Sequence, residues 1–425
     1  MLKEIDFKFN NINIKLLQTK QYKTITGIIS FVRPLDEKDF TYYSLLNRLI
    51  GSSSKNYPSK ESLSNKLFEL YDCSAYMTTS YSYKSANTMF VFQTINNKLV
   101  SDENDIIKGC IDILKEIMFN PLLEEDKLEF DYKNFNEEVK ALENDIKNIY
   151  NNKKKYAFRK LMEAMAPNDI ISVSTLGNLD VLKTITPKSL YDFYVNIFND
   201  SFINIGVIGD ITEEEIKSYF DDLKLNSKHY DVELYPKFVN FKDTVLQVNE
   251  KQDIVQAKLL IAFRYDIGYN EKNYIPLIVF NAMFGGMFGS SLFMNIRENH
   301  SLTYDIGSEL MINKKMLLVS CGVDNKNVEI TSDLIIKELE SYKQGNIDSN
   351  ILKVAKEFLI NDLKEMQDYQ FSILSYKLEN IISKRPSVEE IINKINLITI
   401  DDIIEVSNMI KLDTIFTLTS GDEYE

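Results

Sequence analysis

The sequence predicts an α+β protein of two homologous lobes, each an antiparallel-rich β-sheet with helices packed on one face. Three observations point to it. Residues 185–210, ITPKSLYDFYVNIFNDSFINIGVIGD, and residues 398–422, ITIDDIIEVSNMIKLDTIFTLTSGD, lie half a chain apart and read alike: Ile-Thr, a short amphipathic helix, then an apolar strand ending in Gly-Asp. The order of strand and helix signals in the first half recurs in the second. A charged, glycine-poor stretch, 221–245, reads as the connector, giving an N-terminal lobe over 1–220 and a C-terminal lobe over 246–425.

In the first half the N-terminal residues alternate like a strand, with strands expected at 11–17 and 24–33. Helices follow at 38–51 and 59–71; in the first, Tyr43, Leu46 and Ile50 recur at helical spacing, and Gly51 and a serine run stop the pattern. Alternation at 75–82 followed by the apolar run at 86–95 predicts a hairpin. Helices are expected at 103–118 and 125–165, the longer with Phe135, Val139, Leu142 and Ile146 as its core stripe, before a short helix and a strand at 202–208. The second half repeats the order: strand 255–265, helices 272–284 and 290–299, hairpin strands 303–312 and 315–323, helices 327–343, 349–383, 387–394 and 400–409, and strand 413–419.

The bulk numbers narrow the function. At 425 residues, 44% hydrophobic and 26% charged, the chain has the composition of a globular protein with substantial cores. A net charge of -14 argues against a nucleic-acid partner, since phosphate binding needs a basic face. No apolar run approaches the roughly 20 residues of a membrane span, and the N-terminus has no apolar signal core. Cys73, Cys110 and Cys321 share no metal-ligand spacing and read as buried thiols of a cytoplasmic protein. His229 and His300 are the two histidines, too far apart in sequence to stand one helical turn from each other, and no G-x-S-x-G elbow appears.

Two stretches carry recognisable chemistry. Ser44-Leu45-Leu46-Asn47-Arg48 has the frame of a zinc-protease helix, His-Leu-Leu-Glu-His, with every chemical residue replaced, and Tyr57, Pro58 and Ser59 to Leu63 follow it. Residues 285–307, GGMFGSSLFMNIRENHSLTYDIG, fit S-x-L-F-x-x-[IL]-R-E-x-x-x-L-x-Y at Ser291, Leu292, Phe293, Arg297, Glu298, Leu302 and Tyr304. With the duplication, these resemble the insulinase/pitrilysin-type zinc peptidases, in the half-length branch that includes mitochondrial processing peptidase.

In zinc-binding members the two histidines hold the metal, the glutamate between them activates its water, and a glutamate from a later helix is the third ligand. The resemblance therefore implies that Ser44, Asn47 and Arg48 occupy the degenerate motif and that this chain binds no cofactor. A guanidinium has no lone pair for zinc and puts a fixed positive charge where the cation belongs. Glu137, Glu138 and Glu143, near the third-ligand region, then read as a solvated helix face.

The same resemblance makes Arg297 and Tyr304 the pair that contacts a substrate carbonyl and stabilises the oxyanion. The chain then looks like the non-zinc subunit of a heterodimer. Its partner would be a homologous H-x-x-E-H chain carrying zinc, with a homodimer forming when it is isolated. The substrate would be a peptide, with no nucleic-acid or membrane partner and a cytoplasmic location. The alternative is an inert structural homologue of the kind found in a respiratory complex. Gly285, Gly286 and Gly289 read as close packing or a mobile loop rather than a phosphate loop. Residues 74–78 fall where the family has an N-A-x-T edge strand that pairs with substrate, but the asparagine is missing.

Overall fold

The structure, a computed structural model, describes residues 2–101 and 105–421. Asp422, which ends the second copy of the repeat, and residues 103 and 104 of the expected helix lie outside them. In chain order the elements are β1 (Lys3–Phe9), β2 (Ile12–Gln18), β3 (Thr24–Pro34), α1 (Asp39–Ile50), α2 (Lys60–Glu69), β4 (Ser74–Ser82) and β5 (Ser85–Ile95). Then come α3 (Ile106–Phe119), α4 (Tyr132–Asn148), α5 (Lys153–Met165), α6 (Leu179–Leu182), α7 (Pro187–Asn199), β6 (Phe202–Gly209) and α8 (Glu213–Tyr219). The second half runs β7 (Leu246–Gln252), β8 (Ala257–Arg264), α9 (Tyr274–Asn281), β9 (Thr303–Met311), β10 (Met316–Val323), α10 (Val328–Lys343), α11 (Ser349–Met366), α12 (Gln370–Ser383), α13 (Val388–Leu397), α14 (Ile400–Asn408) and β11 (Lys411–Ser420). Among the described residues, no helix is long and apolar enough to cross a membrane.

The strands form two sheets, ordered β1-β2-β6-β3-β5-β4 and β7-β11-β8-β10-β9. Leaving out β1, the orders superimpose element for element. Even the exception repeats: β6 lies parallel to β2 and β11 parallel to β7, while the other pairs are antiparallel. The two look-alike segments supply the matching elements α7–β6 and α14–β11. Each helix opens with a threonine capping box, Thr186 with Ser189 and Thr399 with Asp402, which satisfies first-turn N–H groups.

The chain divides into two compact units, and neither is contiguous. One holds Met1–Lys147, Ser174–Glu233 and Gln367–Ile382; the other holds Asn148–Val173, Leu234–Met366 and Ser383–Glu425. Two long helices expected from periodicity are each broken where the chain changes unit. The one expected at 125–165 stops at Asn148, and α5 restarts after Asn152, whose side chain accepts from the Lys155 N–H (3.1 Å). The one expected at 349–383 stops at Met366 and resumes at Gln370.

The exchanged helices explain the burial of the central strands. Along β3, Phe31 packs on Phe90 and Phe198 of α7. Ile28, which points the other way, packs with Met89, Val91, Ile208 and the α12 residues Ile373, Leu374 and Leu378. The first sheet is therefore covered on both faces, by α7 on one and α12 on the other. Strand β3 is buried without alternation from Ile25 to Val32 as a result. In the second unit β8 is buried likewise from Leu259 to Arg264, and α5 packs on β8 and β11.

Candidate functional site

In the first unit, α1 turns Tyr43, Leu45, Leu46, Leu49 and Ile50 into the core. Positions i, i+3 and i+4 leave Ser44, Asn47 and Arg48 on one half-buried polar strip. Each of these three side chains has a partner inside the unit. The Ser44 hydroxyl donates to the Thr175 carbonyl (2.8 Å), and Asn47 Oδ1 accepts from the Thr79 hydroxyl of β4 (3.2 Å). Arg48 Nη2 forms an ion pair with Asp145 on α4. The later helix thus does send a carboxylate toward α1, but it meets a guanidinium.

These residues do not fit zinc: one donor lacks a lone pair, one hydroxyl is spent on a carbonyl, and the acid is neutralised by arginine. Among the described residues, no group of three or more His, Cys, Asp or Glu side chains could hold a metal ion. Of the α4 glutamates, Glu137 is exposed, and Glu143 pairs with Lys147 (2.5 Å), whose hydrogen bond holds the carboxyl below its usual range. Glu138 departs from the expected solvated face. It is 8% exposed, and its burial is compensated by Lys60 at 2.9 Å.

In the second unit, residues 293–299 form a π-helical turn with Phe293 and Ile296 buried. Arg297, 40% exposed, lays its guanidinium over the Phe293 ring, 4.6 Å from the centroid, and its Nε stands 3.6 Å from Glu298. The helix ends at Ser301, in the left-handed region at φ 53. The Ser301 N–H bonds to the Arg297 carbonyl (3.1 Å) and the Leu302 N–H to that of Ile296 (3.1 Å). Thr303 then anchors the start of β9 by donating to the Gly322 carbonyl (2.5 Å). Tyr304, 85% exposed, stands at the beginning of this edge strand. The structure thus places Arg297 and Tyr304 on one helix–turn–strand element with both polar heads facing outward.

The glycines before this helix are explained by packing. A Cβ on Gly285 would lie 2.8 Å from the Ser308 backbone nitrogen of β9, and one on Gly286 would lie 2.9 Å from the Asn281 carbonyl oxygen. Gly289 needs its φ of +76. His229 is exposed, and His300 Nδ1 meets the Asn295 carbonyl at 2.7 Å on the surface. The three cysteines are buried and free. Sequence spacing gave no sign that Cys73 and Cys110 would meet. Their thiols share a hydrogen bond that lowers the pKa of Cys73 and raises that of Cys110.

Residues 184–359 match the peptidase M16 inactive domain. The chain is 26% identical over 425 residues, 98% of its length and 97% of the relative's, to the "Probable inactive metalloprotease YmfF" of Bacillus subtilis (strain 168). It is 25% identical over 300 residues, 69% of its length and 70% of the relative's, to the "Uncharacterized zinc protease YmxG" of the same organism. The crystal structure of a conserved protein from Enterococcus faecalis V583 superposes with a TM-score of 0.90 at 27% identity, covering 99% of this chain and 100% of that one.

Proposed function

This chain is a member of the insulinase-type (M16) peptidase family, of half length and without the zinc-binding H-x-x-E-H motif, and we propose that it is the non-zinc subunit of a two-chain metalloendopeptidase. The zinc site would belong to a homologous partner. This chain's own contribution is Arg297 and Tyr304, and its action is peptide or precursor processing. The observation that carries the reading is a contrast between the two polar clusters. Ser44, Asn47 and Arg48 are closed by bonds inside their own unit. Arg297 is oriented by an aromatic ring and loosely paired, and Tyr304 stands in solvent. Two relatives in one organism, one named inactive and one named a zinc protease, support a division of labour between homologous chains. Three buried, unpaired thiols support a cytoplasmic location.

In this role the guanidinium donates charge-assisted hydrogen bonds to the substrate carbonyl and the tyrosine adds a neutral donor. Both act where negative charge develops at the scissile peptide. Losing a single donor of this kind typically costs about 100- to 1000-fold in rate. The test is peptide cleavage by the purified chain, alone and mixed with an H-x-x-E-H homologue, using wild type and Arg297→Ala/Tyr304→Phe. Activity only in the mixture, lowered at least tenfold by the double change, is the expected result; tenfold corresponds to about 1.4 kcal/mol of transition-state stabilisation. Size-exclusion of the same samples separates the heterodimer from a homodimer of this chain. Mixture activity indifferent to the double change would leave the chain as an inert scaffold.

A further inference from the structure

A hollow of about 870 Å³ opens in the first unit between the end of α3, α7 and the loop after α8. Its floor is aromatic and continuous with the core. Phe119 packs on Phe198 (5.5 Å between centroids), and Phe198 packs on Tyr194 (5.0 Å) and, beneath, on Phe31 of the sheet (5.1 Å). The Tyr194 hydroxyl donates to the Met118 carbonyl, so this ring is held by a bond as well as by packing. Phe119 nonetheless remains 43% exposed at the mouth.

The rim is basic. Lys55, from the loop after α1, and Lys224 and Lys228, from the loop after α8, line the hollow, and no carboxylate does. Among the described residues none of these three ammonium groups forms an ion pair, whereas Lys115 nearby is held by Asp222 at 2.5 Å. In a chain of net charge -14, three unpaired lysines around an exposed aromatic floor form a local reversal of sign. Two side-chain amides, Asn199 and Asn226, also line it and offer donor–acceptor pairs of the kind a peptide backbone needs.

We propose that this hollow docks an acidic peptide segment bearing one aromatic side chain, which stacks on Phe119 and Phe198 while flanking carboxylates meet Lys55, Lys224 and Lys228. The site is independent of the Arg297 and Tyr304 pair, and its readout is binding by this chain alone. The probe is the unlabelled peptide acetyl-Glu-Asp-Tyr-Asp-Glu-amide, followed by calorimetry on the full chain. Two analogues accompany it, one with Gln and Asn replacing the acids and one with Ala replacing Tyr. The acidic aromatic peptide should bind, both analogues should bind at least tenfold more weakly, and raising the salt should weaken binding because the rim is exposed.

The Lys55→Glu/Lys224→Glu/Lys228→Glu variant, and separately Phe119→Ala, should each lose at least tenfold in affinity while keeping the wild-type melting transition. The proposal is overturned if the peptide does not bind at millimolar concentration, or if it binds all variants equally. It is also overturned if decanoate binds through these residues and the peptides do not, which would make the hollow a site for small amphipathic anions.

Discussion

Adjacent lysines in the turn between β9 and β10 show how a single partner decides the state of a charge. Lys315 is 2% exposed, but its ammonium is paired with Asp266 and lies over the Tyr235 ring. Lys314 is partly buried and donates to the Ile171 carbonyl (2.5 Å) rather than to a carboxylate, so desolvation lowers its pKa to about 8 against the weaker pull of Asp169. Below about pH 8 the ammonium is charged in both folded and unfolded chains, and the folded state bears the full desolvation cost. Between about 8 and the ordinary lysine value of 10.5 the unfolded chain holds the extra proton, so stability rises with pH; above that range the cost is gone. Lys314→Met should therefore be more stable than wild type at pH 7 by about 1–3 kcal/mol, and the advantage should vanish by about pH 10.5. Urea unfolding at pH 7, 8, 9 and 10 measures it; an advantage that does not change with pH would mean the ammonium is not desolvated. Arg48 is the opposite case. Its pair with Asp145 is partly solvated and contributes only about 0–1 kcal/mol.

At the scale of elements, the glycine-rich segment before the Arg297 helix fixes how that helix lies against β9. Gly285→Ala would press a methyl against the Ser308 backbone, which cannot rotate away, and should cost about 1–3 kcal/mol. Gly289→Ala meets no neighbour within 4 Å and pays only for its positive φ, roughly 1–2 kcal/mol. Chemical denaturation of the two variants should show the first at least as destabilised, and a harmless Gly285→Ala would mean that β9 is free to move. The elements most legible in the sequence were those marked by helical spacing of apolar residues or by an unbroken apolar run: α1, β3, the β4–β5 hairpin and the α7–β6 and α14–β11 repeats. Strand β7 was not legible, because LQVNEKQ alternates between half-buried and exposed and is held by backbone pairing to β11 at an edge. The breaks at 149–152 and 367–369 were missed because helical periodicity runs through both. They are set by which sheet the following helix joins, which is a tertiary fact. The same limit applies at the site. The spacing of Ser44, Asn47 and Arg48 is local and readable, whereas the meetings of Arg48 with Asp145 and Cys73 with Cys110 depend on the finished fold.

At the scale of the molecule, the two sheets share one topology, and neither compact unit is built from one half of the sequence alone. Each sheet is completed by a helix from the other half of the sequence: α12 for the first, α5 for the second. The exchange is secured by polar bonds as well as by packing. Gln370, the first residue of α12, is 6% exposed; its amide donates to the Thr24 carbonyl (2.9 Å), and its oxygen accepts from the hydroxyls of Thr24 (2.5 Å) and Thr26 (3.2 Å). In the second unit, Lys153 and Tyr156 of α5 bond to Gln252 (2.7 Å) and Glu250 (2.5 Å) of β7. Burial of Ile373, Leu374 and Leu378 on the first sheet contributes about 1.5–3 kcal/mol each, together about 5–9 kcal/mol. That is comparable to the whole net stability of an ordinary domain, about 5–15 kcal/mol. A fragment ending at residue 233 therefore lacks more than an ornament. It should melt without a cooperative transition and bind a hydrophobic dye, because Leu17, Ile28, Val91 and Ile208 lose their cover. Adding a fragment of residues 234–425 should restore a sharp transition, since it carries α12. A cooperative melt of the first fragment alone would show that the second face of its sheet tolerates water, and the exchanged helix would then be dispensable to folding. If the expected dependence holds, the two halves of the sequence fold only together, because each sheet needs a helix that the other half supplies.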